Sequence, residues 1–139
     1  MSHIHWDDSY SVNSGLLDDH HKLLFNLFNR YCDALHRREG IKALADLFAE
    51  VIEYADTHFR VEEILMQRSG YPFIKSHKQA HGFLLHRAQR LLARINSGDQ
   101  VACDQAAEFI RNWLEKHIRG VDAQYAPYVA EQLIDDVAV

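Results

Sequence analysis

The stretch HFRVEEILM, residues 58–66, decides how this chain is read. It holds no glycine or proline, and its apolar residues recur at helical spacing, so it reads as helix. Yet His58 and Glu62 stand four apart on the same face as Leu44, Phe48, Val51, Ala55 and Leu65. A base and an acid therefore occupy a stripe that should be apolar. Burying either one without a partner costs several kcal/mol.

Working outward, the six glycines and two prolines of the 139 residues fall at few places and cut the chain into long segments. Residues 1–17 read as an irregular arm. Helices are expected over about 18–36, 42–68, 72–95 and 100–118. Asp18 or Asp19 stands near the first N-terminus, and Ser69-Gly70 ends the second helix. Pro72 suits the first turn of the third, Asp99 caps the fourth, and Gly120 stops it. Residues 119–139 form a tail with room for a short capping helix. The first helix carries the stripe Leu17, His21, Leu24, Phe28, Tyr31 and Leu35. The third carries Ile74, His77, His81, Leu84, Ala88, Leu91 and Ile95, and the fourth Cys103, Ala106, Ile110, Trp113 and His117. Four stripes joined by short loops predict one all-α domain over 1–139, an antiparallel up-down-up-down four-helix bundle.

In that order, the start of the first helix, the end of the second, the start of the third and the end of the fourth share one end of the bundle. His21, His58, Glu62, His77, His81 and His117 then converge in a single core layer. A metal resolves the burial problem, because imidazole lone pairs and a carboxylate become ligands. Residues four apart, as in His58/Glu62 and His77/His81, share a helix face and can grip one ion or adjacent ions. Asp122 lies five beyond His117, about 140° round an α-helix. It joins the layer if Gly120 ends the helix and the chain folds back. Seven candidate ligands are too many for one tetrahedral ion, and bundle cores host two-metal carboxylate sites. With both carboxylates and a solvent-derived oxygen bridging, an ion with three His is six-coordinate. The other, with two His, keeps one position open for a small diatomic ligand.

Composition narrows the partners. The chain is 47% hydrophobic and 25% charged, with a net charge of −5. That balance argues against nucleic acid or an anionic membrane surface. No apolar run approaches the ~20 residues of a membrane span. The start, MSHIHWDDSY, has no basic n-region and no apolar h-region, so a cytoplasmic protein is expected. Cys32 and Cys103 read as reduced core thiols. His3, His5, His36 and His86 read as surface or packing residues, and Met66 as core filler. Glu63 neighbours Glu62 but lies off the stripe, where a solvated or ion-paired role is expected.

The chain resembles the hemerythrins, their bacterial single-domain members most closely. The matching stretches are WDDSYSV (6–12), LDDHHKLLFNLFN (17–29), HFRVEEILM (58–66), GYPFIKSHKQAH (70–81) and WLEKHIRGVDAQY (113–125). The resemblance implies two iron ions with an oxo or hydroxo bridge. It makes His77, His81 and His117 ligands of one iron, His21 and His58 ligands of the open iron, and Glu62 and Asp122 the bridges. His20 stands where the family usually has glutamine, about 100° off the stripe that carries His21. Asn13 stands where the family usually has glycine.

The resemblance also implies reversible O2 binding without catalysis: a carrier, store or scavenger. Five imidazoles leave the site less negative than a carboxylate-rich centre, which disfavours high-valent iron. The Glu-x-x-His pairs of oxygenase-type bundles are absent from the chain. The ligand pocket is expected to be apolar, lined by Leu24, Phe59, Trp113, Leu114 and Ile118. Tyr125 either supports the ligands or covers the bundle end. The competing functions are a sensor of O2, NO or redox state acting through a separate protein, and a peroxidase or NO-handling enzyme.

Overall fold

The structure, a computed structural model, describes residues 2–129. Any continuation of the expected capping helix beyond Val129 lies outside the described residues. Four long helical segments form the bundle: α1 Gly15–His36, α2 Ile41–Ser69, α3 Ile74–Asn96 and α4 Gln100–Asn112. The last continues as a π-helical segment, Trp113–Val121, then a 3₁₀ turn, Asp122–Tyr125, and a short α5, Ala126–Val129. No strand occurs among the described residues. Each long helix packs against its neighbours in order, and α4 closes the ring against α1. No helix among the described residues is long and apolar enough to cross a membrane.

The helix starts follow their caps. Ser14, not Asp18 or Asp19, caps α1: its hydroxyl accepts from the Leu17 N–H at 3.3 Å. Asp18 instead pins the arm, accepting from the Val12 N–H at 2.9 Å and the Ser11 hydroxyl at 2.6 Å. Between them Asn13 takes φ 57°, a left-handed conformation that Asn tolerates and glycine suits best. Gly70 ends α2 at φ 72°, and the Tyr71 N–H donates back to the Met66 carbonyl at 3.0 Å. That closing turn displaces Pro72 and Phe73 to positions just before α3 rather than into its first turn. Asp99 caps α4 as expected, accepting from the N–H groups of Val101 and Ala102.

Gly120 does not stop the fourth helix. The chain stays helical through it, and its turns widen: the Asp122 N–H donates to the carbonyls of both His117 and Ile118. The first of these is the i→i+5 bond of a π-helix. In that geometry the rotation per residue falls, so residues five apart lie much nearer to one face than in an α-helix. The widened turn therefore carries Asp122 to the face of His117, with no chain reversal.

The apolar core is split. A large cluster centred on Phe28, Tyr31, Phe48 and Ile110 fills most of the bundle. A smaller one holds Val12, Leu17, Val61, Leu65, Met66, Tyr71, Tyr125 and Val129 at one end. Cys32 and Cys103 are buried free thiols.

Candidate metal centre

Among the described residues seven polar side chains are buried: His21, His58, Glu62, His77, His81, His117 and Asp122. Six of them are the polar residues of the stripes, and the seventh is Asp122, expected to join them. His21 comes from the second turn of α1, His58 and Glu62 from the second half of α2, and His77 and His81 from the start of α3. His117 comes from the π segment and Asp122 from its end. Their donor atoms gather in two groups, His77/His81/His117/Asp122 and His21/His58/Glu62/Asp122. Asp122 belongs to both. Its Oδ1 lies 3.0 Å from His77 Nε2 and 3.1 Å from His117 Nε2, while its Oδ2 lies 3.3 Å from His21 Nε2. Glu62 also touches both groups. Its Oε1 is 3.3 Å from His58 Nε2 and 3.1 Å from His81 Nε2.

The donors converge on shared points more than they satisfy one another. The Nε2 atoms of His77, His81 and His117, with Glu62 Oε1 and Asp122 Oδ1, are buried and accept or donate no hydrogen bond. Two ligands about 2.1 Å from one ion and at right angles to each other stand about 3.0 Å apart. The spacings observed here match that value, and the donor set suits a divalent metal. The electrostatics agree. Burial alone would raise the Glu62 pKa, but the adjoining His58, His21 and His81 hold it well below the usual carboxylate range. Burial and Glu62 likewise push Asp122 upward, yet His117 and His21 leave its pKa lowered. Burial depresses His21, but Asp122 and Glu62 beside it raise its pKa to about 9. Two ionised carboxylates in a dry layer demand positive charge, which a metal supplies.

Two of the five imidazoles have outward partners that sequence phase left open, whereas the Nδ1 atoms of His21 and His77 are buried without one. His58 Nδ1 lies 2.9 Å from His20 Nδ1, and His81 Nδ1 lies 3.2 Å from Glu63 Oε2. Burial, then His58 and His21, lower the half-buried His20 to a pKa of about 4, so at neutral pH it is a neutral ring with one nitrogen free to accept. Such contacts leave each Nε2 free to point inward and fix the tautomer. Tyr125 is buried in the small end cluster, and its hydroxyl donates a short hydrogen bond to Glu62 Oε2. It therefore both covers the bundle end and holds the carboxylate.

The residues expected to form the pocket are all buried: Leu24, Phe59, Trp113, Leu114 and Ile118. Phe59 stacks on His81 at 3.8 Å between ring centres and meets Trp113 edge-on at 5.4 Å. The remaining histidines lie away from this layer; His3, for example, is exposed and pairs with Asp33 at 2.6 Å.

Comparison with known proteins agrees. A family profile described as the hemerythrin HHE cation binding domain matches residues 13–129. Bacteriohemerythrin of Pseudomonas aeruginosa is 31% identical over 133 residues, 96% of this chain and 86% of its own length. That of Methylococcus capsulatus is 32% identical over 120 residues, 85% of this chain and 89% of its own. A wild-type hemerythrin crystal structure superposes with a TM-score of 0.85 at 28% identity, covering 93% of this chain and 99% of that one.

Proposed function

This chain belongs to the hemerythrin family, and from that premise we propose that it binds O2 reversibly at a pair of iron ions, without catalysis. The observation that carries the reading is the pair of buried donor groups joined through Asp122. His77, His81 and His117 would hold one iron and His21 and His58 the other, with carboxylate oxygens of Glu62 and Asp122 within reach of both groups. Ferrous iron bound there would supply the electrons that O2 needs and a site for it to bind.

The chain's own groups do the rest. Five neutral imidazoles add no charge, so the two carboxylates would offset half the charge of two ferrous ions and leave the layer positive. His20 and Glu63 orient His58 and His81 through their outer nitrogens. The Tyr125 hydroxyl fixes one oxygen of Glu62, so that carboxylate cannot swing away. Leu24, Phe59, Trp113, Leu114 and Ile118 form the dry wall. They exclude water and offer no acid that would protonate bound ligand and drive it off, which favours release of O2 unchanged.

Metal analysis with an air-equilibrated spectrum tests the reading. The expected result is two irons per chain, with near-ultraviolet and visible charge-transfer bands. After anaerobic reduction, O2 should generate a coloured adduct that reverses under vacuum. A colourless protein carrying one zinc overturns the iron pair. Immediate irreversible oxidation overturns reversible binding in favour of sensing or turnover.

A further inference from the structure

An open groove of about 1140 Å³ runs between α3 and the α4–π segment. Its charge is opposite to that of the protein. Phe83, Arg87 and Arg90 follow one another at i, i+4 and i+7 on α3, so they share a face, and Lys116 lines the groove from the π segment. Arg94 also lines it but is tied to Asp99 by hydrogen bonds of 3.0 and 2.8 Å. Arg87 lies over the Phe109 ring at 5.6 Å. None of Arg87, Arg90 and Lys116 makes an ion pair among the described residues, and Glu108 is the only acid among the lining residues. This basic strip belongs to a chain whose net charge is −5. Phe83, at the same groove, is 79% exposed.

The inner wall of the groove reaches the candidate metal centre through one of the seven, His117. Trp113 and His117 line it. His117 is 8% exposed, and the other six of the seven are at most 3% exposed. The centre comes nearest to solvent here.

We propose that this groove docks an acidic protein that delivers single electrons, an inference that rests on the iron pair proposed above. Carboxylates of the partner meet Arg87, Arg90 and Lys116, and an apolar side chain beside them packs on Phe83. The groove is concave, so it suits a convex protein face better than a flat bilayer. A donor seated there has its redox group beside the His117 edge. It is oxidised by one electron per encounter and one ferric ion is reduced; two encounters restore both ions, with solvent protons balancing the charge. An O2-binding protein that slowly oxidises needs such repair.

The test uses the full iron-loaded chain, oxidised in air, with fully reduced flavodoxin as an acidic one-electron donor. Its reduction rate should fall steeply as salt is added. The double variant Arg87→Glu/Arg90→Glu should slow it at least about tenfold at low salt. Reduction by the methyl viologen radical, a small cation, should not slow. Carbodiimide coupling followed by peptide mass spectrometry should join Lys116 to flavodoxin carboxylates. A salt-independent rate, equal slowing with both donors, or coupling only at other lysines overturns the proposal. Binding of the groove to phosphatidylglycerol vesicles but not to flavodoxin also overturns it, in favour of a membrane. The coupling arm needs no iron. Coupling at Lys116 in a chain that takes up no iron therefore supports docking while overturning electron delivery and the iron reading.

Discussion

His58 offers one ring nitrogen to the centre, and its other nitrogen faces a second histidine. With Nε2 directed inward, Nδ1 carries the proton and donates to His20 Nδ1 across 2.9 Å. Removing such an outer partner commonly weakens metal binding 10- to 100-fold. His20→Leu should therefore lower iron affinity about tenfold or more, measured by chelator competition. His20→Gln, which keeps an acceptor, should bind within about threefold of the parent on the same principle. His21→Ala should lower the iron content outright. Equal affinity for the Leu and Gln variants would show that the His20 contact does not matter. The meeting of His21, His58, Glu62, His77, His81 and His117 was readable in the sequence because each stands on an apolar stripe, and helix phase fixes the stripe; Asp122 was reached only by assuming a helix stop at Gly120. The roles of His20, Glu63 and Tyr125 were not. Phase puts His20 and Glu63 off the stripe, and only rotamers and helix spacing return their tips to a neighbouring ring. Tyr125 reaches Glu62 from a short 3₁₀ turn that follows the π segment, and periodicity does not foretell such a turn.

At the scale of elements, the four helices were legible because the 3.6-residue stripe and the Gly/Pro breaks coincide. The π segment was not. An α-helical phase puts His117 and Asp122 about 140° apart, so a helix stop at Gly120 looked necessary. The widened turn answers the same geometric need by a different route. The two accounts predict opposite behaviour at Gly120. A helix-ending glycine with left-handed φ resists alanine. Gly120 is not among the positive-φ positions, and a Cβ added there meets nothing within 4 Å. Gly120→Ala should accordingly stabilise the fold by about 0.4–1 kcal/mol by restricting the unfolded chain, with iron content unchanged. Gly70→Ala, at φ 72°, should instead destabilise it by about 1 kcal/mol or more. Urea denaturation of the two variants measures both. A loss at Gly120 as large as that at Gly70 would restore the helix stop.

Across the whole molecule, the polar layer separates two apolar clusters. The larger packs all four helices and counts none of the seven donors among its members, meeting the layer at Phe59, which stacks on His81. The smaller is built from the end of the arm, the start of α1, the end of α2 and the segment around Tyr125 and Val129, and it sits against Glu62 through Tyr125. Stripping the metal leaves two buried carboxylates to be neutralised by protons alone, as the raised His21 pKa of about 9 indicates. Metal that binds only the folded state stabilises it by about 4 kcal/mol when free metal exceeds Kd a thousandfold. For a domain of this size that is on the order of 10 °C in Tm. The loss should not be uniform. Hydrogen exchange of chelated against loaded protein should accelerate most at residues 12–17, 61–71 and 122–129, which carry the small cluster on one side of the polar layer. Amides near Phe28, Phe48 and Ile110 should keep most of their protection, because that cluster is continuous without the metal. Uniform acceleration over the whole chain would mean that the layer holds both clusters in one cooperative unit. No change would mean that these donors bind no metal that matters to the fold.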